Sequence, residues 1–184
     1  MIYTFLATGF EDIEALAPVD IMRRAGLQVQ TVSITGQPVV VSAHGVGIVA
    51  DRLLADVDFS DAELLFLPGG LPGATNLDAC EPLREALRRH YFDCGRHVAA
   101  ICAAPLVLGH LGILEGKRAT CYPGFEKELT GAQYTAARIE EDDRVLTGNG
   151  PGAAFKLGYA VVARMAGTDV AQQLRQGMMY EVEN

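Results

Sequence analysis

The sequence predicts an α/β fold: a mainly parallel sheet with helices on both faces. Three observations carry this prediction. Short runs of consecutive apolar residues alternate with helix-patterned segments, glycine- and proline-rich turns follow several of those runs, and no period of roughly 20–50 residues recurs. Strands covered on both faces read as continuous apolar runs, whereas half-exposed strands alternate in polarity.

Residues 2–7 read as the first buried strand, and Thr8-Gly9-Phe10 turns out of it. Glu11, Asp12 and Glu14 then place carboxylates in the first turn of a helix, where the macrodipole favours negative charge. That helix runs to about residue 24 with Gly26 as its stop, and Pro18 is expected to kink or break it near Ala17. Residues 29–34 form a second strand, and residues 38–50 a short hairpin with Ser42–Gly45 at its tip. Residues 64–67 are a four-residue apolar strand that ends in Pro68-Gly69-Gly70-Leu71-Pro72-Gly73, a loop suited to close backbone approach. A helix over 82–90 turns Leu83, Ala86 and Leu87 to one face and stops near Gly95. Residues 98–101 are the next strand, followed by a helix that ends near 109–112. A strand over 118–121, a short helix over 125–129 and an antiparallel pair, 137–140 with 144–147, come next. Gly148-Asn149-Gly150-Pro151-Gly152 opens a helix from about 153 to 165, and a last one covers 170–176.

Nearly half of the 184 residues are hydrophobic, enough for a single domain over 1–184 with one good core. A formal net charge of −8, with no Lys/Arg cluster, argues against nucleic-acid binding. The first ten residues lack a positive n-region and are too short to span a bilayer, so no membrane partner and a soluble, cytoplasmic protein are expected. The four cysteines (80, 94, 102, 121) match no C-x-x-C pair or zinc spacing, and reduced thiols are expected. The four histidines (44, 90, 97, 110) are scattered, so no metal is expected.

His97–Pro105, read HVAAICAAP, carries the clearest chemical signal. A buried strand meets a helix at Cys102, and Pro105 suits the helix's first turn. A thiol facing free N–H groups at a helix start is expected to ionise readily and to react. The same pattern also suits a small buried residue with no chemistry. The neighbouring loops favour reactivity. In an open parallel sheet, ligands bind outside the carboxyl ends of the strands. Three such ends here bear carboxylates (9–14), a glycine-rich loop (68–73) and the thiol.

AAICAAP with the preceding PGG, GFEDIEA near the start, PVDIMRRAG at 18–26 and TGNGPG before the long helix resemble the ThiJ/PfpI superfamily. The likeness runs over nearly the whole chain, in the branch of the Parkinsonism-associated protein deglycase and its bacterial relatives. It implies a flavodoxin-like three-layer sandwich with Cys102 on a nucleophile elbow and no cofactor. Glu14 matches the family glutamate that hydrogen-bonds the sulfur, a role the sequence alone does not separate from those of Glu11 and Asp12. Gly69, Gly70 and Ala103 match backbone N–H groups that form an anion pocket. Tyr122 falls where some relatives carry a peptidase histidine, which weakens a peptidase or amidase reading. His44 stands where the deglycase branch has an arginine, and Asn149 precedes the last long helix. Both, with Tyr122, are candidate pocket-lining residues. The implied activity is that of a glutathione-independent glyoxalase or protein deglycase on small 2-oxoaldehydes or glycated protein, with Cys102 as nucleophile and Glu14 as acid–base. Oxidation of Cys102 in a stress sensor or chaperone is the alternative. A homodimer is also implied, with Met178-Met179-Tyr180 a candidate contributor.

Overall fold

The computed structural model describes residues 1–180. Seven strands form the central sheet in the order β10-β11-β7-β6-β1-β2-β5. These are β1 (Ile2–Leu6), β2 (Val29–Ser33), β5 (Arg52–Leu53), β6 (Leu64–Leu67), β7 (His97–Ile101), β10 (Ile139–Asp142) and β11 (Val145–Gly148). Every neighbouring pair is parallel except β10 with β11. A hairpin of β3 (Val39–Val41) and β4 (Gly47–Val49) stands apart, as does a small pair of β8 (Arg118–Ala119) and β9 (Gln133–Tyr134).

The two-residue period of the strands sorts their side chains between two helical layers. Tyr3, Phe5, Leu65, Leu67, Val98 and Ala100 face one way. They pack on α2 (Gly73–Ala79), α3 (Glu81–Arg88) and α4 (Pro105–His110) through Leu77, Leu83, Leu87, Leu106 and Leu108. Ile2, Leu64, Phe66, Ala99 and Ile101 face the other way. They meet α1 (Asp12–Arg24) and α5 (Ala154–Ala166) through Val19, Ile21, Met22, Leu157 and Val161, and α6 (Thr168–Gly177) joins the same cluster through Ala171. The expected sandwich, a mostly parallel sheet between two helical layers, is what forms.

Several elements differ from the sequence expectation. Pro18 does not break α1, which runs uninterrupted over thirteen residues. Pro18 and Ile21 lie on the face buried against α5, and a Cβ at Gly158 would come within 3.1 Å of the Pro18 Cα. That close packing holds the helix through its missing hydrogen bond. Helix α2 and edge strand β5 were not expected, and the strand expected over 118–121 stops at Ala119. Met178 and Tyr180 fold back on α5: the Tyr159 hydroxyl donates to Met178 Sδ at 3.3 Å, and Tyr180 packs on Phe155 and Tyr159. Only Met179 of that group is well exposed.

Candidate active site

The carboxyl ends of β1, β6, β7 and β11 lie side by side, with Leu67 opposite Ala100 and Ile101 opposite Gly148. Cys102 follows β7 directly and has a φ of +64°, a left-handed conformation costly for a non-glycine residue. Three hydrogen bonds hold the elbow. The Cys102 N–H donates to the Gly148 carbonyl at 2.8 Å, the Tyr122 N–H to the Cys102 carbonyl at 2.8 Å, and the Ala104 N–H to the Ile101 carbonyl at 3.0 Å. The thiol is therefore aimed by backbone from β11 and from the 120–122 segment. Sequence reasoning did not find these anchors, because they are main-chain groups of distant residues.

Glu14, in the first turn of α1, is fully buried. The Gly69 N–H donates to its Oε2 at 3.0 Å, its carboxyl contacts the Cys102 thiol, and no backbone donor reaches its Oε1. The Glu11 side chain caps α1, with its Oε2 accepting the Glu14 N–H at 2.7 Å, while the Glu11 N–H donates to the Gly69 carbonyl at 2.9 Å. The glycines of the 68–73 loop make this approach possible. A Cβ at Gly69 would lie 2.5 Å from Glu14 Oε2, 2.6 Å from Cys102 Cβ and 2.7 Å from the Ile101 carbonyl oxygen. Gly70 has a φ of +90° and its Cα lies against the Phe10–Glu11 backbone.

Burial pushes the Glu14 carboxyl up to about 7; the nearby Glu11 charge adds to this, and the Cys102 and Gly69 hydrogen bonds oppose it. Burial also pushes the Cys102 thiol up to about 12, helped by the charge and hydrogen bond of Glu14, while the Gly70 and Ala103 N–H groups pull it down. The expectation of a thiol ionised by its helix alone is thus corrected. Helix α4 has only six residues, and the anionic neighbour outweighs two N–H donors. The protons belong to the pair. Between the two steps the pair holds one proton and one negative charge, and a thiolate forms when that proton sits on Glu14.

The structure brings Cys102, Glu14, Gly69, Gly70 and Ala103 together. It also corrects the role of Gly69, whose N–H serves Glu14 and not the sulfur, leaving Gly70 and Ala103 as the donors to sulfur. Tyr122 is half-exposed beside the elbow, with ring carbons 3.2 and 3.6 Å from where a Cβ at Gly150 would stand. Asn149 adjoins Gly148, and its N–H donates to the Arg138 carbonyl at 3.1 Å. The exposed His44 ring is bonded through Nδ1 to Asp12 Oδ2 at 2.6 Å, not to the Cys102–Glu14 pair.

The molecule is thus a mostly parallel α/β sandwich that buries a thiol–carboxyl pair at a strand–helix elbow. The chain belongs to the DJ-1/PfpI family, whose pattern matches residues 1–164. It is 40% identical over 171 residues to protein DJ-1 homolog B of Arabidopsis thaliana, covering 92% of this chain and 39% of that protein. The chain spans 39% and 44% of the lengths of the two Arabidopsis relatives it matches. The Danio rerio Parkinson disease protein 7 homolog is 35% identical, with 92% of both chains covered. A Caenorhabditis elegans protein named glutathione-independent glyoxalase is 34% identical over 89% of this chain and 87% of its own. Among solved structures, a DJ-1 superfamily protein of Salmonella typhimurium superposes with a TM-score of 0.93 at 30% identity, and oxidized Toxoplasma gondii DJ-1 with 0.93 at 28%. Each pair covers 98% of both chains.

Proposed function

We propose that this protein is a cysteine-dependent enzyme acting on small 2-oxoaldehydes or their protein adducts, without glutathione or another cofactor. The observation that carries this reading is the buried contact between Glu14, with its carboxyl raised to about 7, and the Cys102 thiol. A carboxyl that titrates near neutrality is suited both to accept and to return a proton.

With methylglyoxal, the thiol proton passes to Glu14 as sulfur bonds to the aldehyde carbon. The carbonyl π electrons move to oxygen, which the Gly70 and Ala103 N–H groups stabilise. Protonation of that oxygen gives a hemithioacetal and returns Glu14 to its carboxylate. Glu14 then takes the C1 proton to form an enediolate and delivers it to C2, while the C1 hydroxyl proton passes to the C2 oxygen, leaving a lactoyl thioester on Cys102. Water cleaves the C–S bond, releasing lactate and the free thiol. The net change is methylglyoxal plus water to lactic acid. The C. elegans glyoxalase likeness supports this chemistry. A steady-state methylglyoxal assay tests it: Cys102→Ser and Glu14→Gln should each abolish lactate formation while the circular dichroism stays native. Turnover retained in either variant overturns the reading.

A second reading, oxidation of Cys102 in stress sensing, is favoured by the likeness to the oxidized Toxoplasma structure. Two equivalents of peroxide would convert the thiol to a sulfinate, with Glu14 and the two N–H groups able to bind its oxygens. A homodimer is also proposed. Val39, Val41, Val46 and Val49 of the hairpin are exposed, as is Ile13 of α1, giving an apolar surface where a second copy would pack. Sedimentation of a Val49→Lys variant as a monomer would support it.

A further inference from the structure

Three elements that lead away from the site's loops meet again at their far ends, around His110. Helix α2 starts from the glycine loop at Gly73, and α4 starts just past Cys102. A 3-10 turn over Glu126–Glu128 follows Tyr122, whose N–H holds the Cys102 carbonyl. His110, the last residue of α4, is bonded through Nδ1 to Asp78 Oδ2 on α2 at 2.9 Å and through Nε2 to Glu128 Oε2 on that turn at 3.0 Å. We propose that His110, carrying a proton on both ring nitrogens, is a positioning residue of the site: it clasps α2 to the 122–128 segment and so holds that segment against the Cys102 elbow.

The need for two protons follows from the two partners. A neutral imidazole has one N–H and one lone pair, so it bonds one carboxylate and turns its lone pair on the other. The imidazolium donates to both, and each bond is charge-assisted. Burial by itself lowers the pKa of His110, but the Asp78 and Glu128 carboxylates outweigh it and hold the ring above the usual histidine value.

Asp78 is itself pinned from α3. One Arg84 guanidinium nitrogen donates to its Oδ1 at 2.6 Å and to its carbonyl at 3.3 Å. Arg84 also pairs with Glu81 at 3.4 Å, and it reaches the imidazole only through Asp78. Glu128 has no other ion-pair partner among the described residues. The side chains of Arg84, Asp78 and His110 keep 19%, 24% and 33% of their surface exposed, so water screens this group less than an ordinary surface pair. There is no slack where α4 meets the turn: a Cβ at Gly109 would run into the Glu128 carbonyl oxygen and lie 2.9 Å from the Thr130 nitrogen.

Deprotonation opens the clasp. Whichever nitrogen keeps its proton, one contact is lost, and the ring no longer joins α2 to the turn. The folded ring binds its proton more tightly than an unfolded histidine does. The clasp therefore contributes fully below the unfolded value of 6.5 and is lost as pH rises through the raised one. The elbow then loses the brace behind Tyr122, whose N–H meets the Cys102 carbonyl at 2.8 Å. Sequence spacing concealed the group, because His110 lies 32 residues beyond Asp78 and 18 before Glu128.

Amide hydrogen exchange on the full chain, resolved to Tyr122 and to residues 126–129, tests the clasp in His110→Gln and His110→Arg. A glutamine amide cannot donate to carboxylates on opposite sides, whereas a guanidinium can and stays charged. At pH 6.5 both stretches should exchange roughly three- to tenfold faster in His110→Gln than in wild type, the scale of a partly exposed charge-assisted bond. The difference should close as pH rises, while His110→Arg stays protected throughout. Equal exchange in wild type and His110→Gln, a difference that ignores pH, an unprotected His110→Arg, or loosening that spares Tyr122 would each overturn the proposal. The kcat for methylglyoxal at pH 6.5 should also fall about threefold or more in His110→Gln with KM unchanged, and an active wild type matched by this variant would overturn the positioning role. This last readout alone rests on the aldehyde chemistry proposed above. A wild type without turnover would sink that chemistry, while the exchange data still decide the clasp.

Discussion

The Gly69 N–H donates to Glu14 Oε2 at 3.0 Å, so in the loop after β6 this glycine positions the acid while its neighbour Gly70 serves the nucleophile. Gly69 sits between the two reacting side chains, and its lack of a side chain lets them meet. A methyl group there would collide with Glu14, with Cys102 Cβ and with the Ile101 carbonyl at once. Gly69→Ala is therefore expected to cut methylglyoxal turnover by roughly 100-fold or more through misplacement of the pair. The comparison is kcat of the variant and the wild type, both shown folded by circular dichroism.

Glu14 should also leave a mark on stability. Its folded carboxyl is raised from 4.5 to about 7, so the folded state prefers it protonated. That preference stabilises the protein fully below about pH 4.5 and is lost as pH rises through about 7. A shift of this size corresponds to about 3 kcal/mol. Glu14→Gln, which needs no ionisation, is expected to unfold at a higher temperature than wild type at pH 8, with the difference shrinking towards pH 4. A variant no more stable at pH 8 would refute this.

The same titration sets the acid limb of activity. Protonated Glu14 cannot take the thiol proton, so turnover should rise with pH through about 7 and level off well before the thiol's own step. Rates of methylglyoxal consumption between pH 5 and 9 give the midpoint directly; a profile without a rise near 7 would mean that no carboxyl raised to about 7 acts as the base.

If oxidation of Cys102 is functional, mild peroxide should add two oxygens at this residue and leave the buried Cys121 untouched. Cys121 is fully enclosed in the apolar core, whereas Cys102 keeps 9% of its surface exposed at the strand end, so access and not acidity sets the selectivity. Peptide mapping by mass spectrometry reads both sites, and equal modification of Cys121 would contradict the proposed selectivity.

The α1–α5 contact offers a test of the fold alone. A Cβ at Gly158 would stand 2.9 Å from Ile21 Cδ1 and 3.1 Å from the Pro18 Cα, and the latter, being backbone, cannot turn aside. Gly158→Val is expected to destabilise by about 1–3 kcal/mol, measured by urea unfolding.

Much of this architecture was legible in the chain. The apolar runs at β1, β6 and β7 have only one way to bury both faces, and the turn at Cys102 announces itself by the proline three residues on. Other elements lacked a local signal. Helix α2 reads GATNLDA, with a single large apolar residue, and packs because of where the 68–73 loop delivers it. Strand β5 is two residues long and exists through its pairing with β2. At the site, Cys102 stood out by its own surroundings, whereas Glu14 was one of three neighbouring carboxylates until the family pattern singled it out. The partner of the Gly69 N–H was not readable, because it is set by a contact spanning 55 residues.

The sheet's two margins have a bearing on how copies of this chain behave when crowded. One is β10, whose Ile-Glu-Glu-Asp run is engaged laterally: Glu140 by Arg118, Glu141 by Arg164, and Asp142 by the Arg118 N–H. The other is β5, too brief to template a ribbon. A sheet finished in this way resists strand-by-strand growth into fibrils.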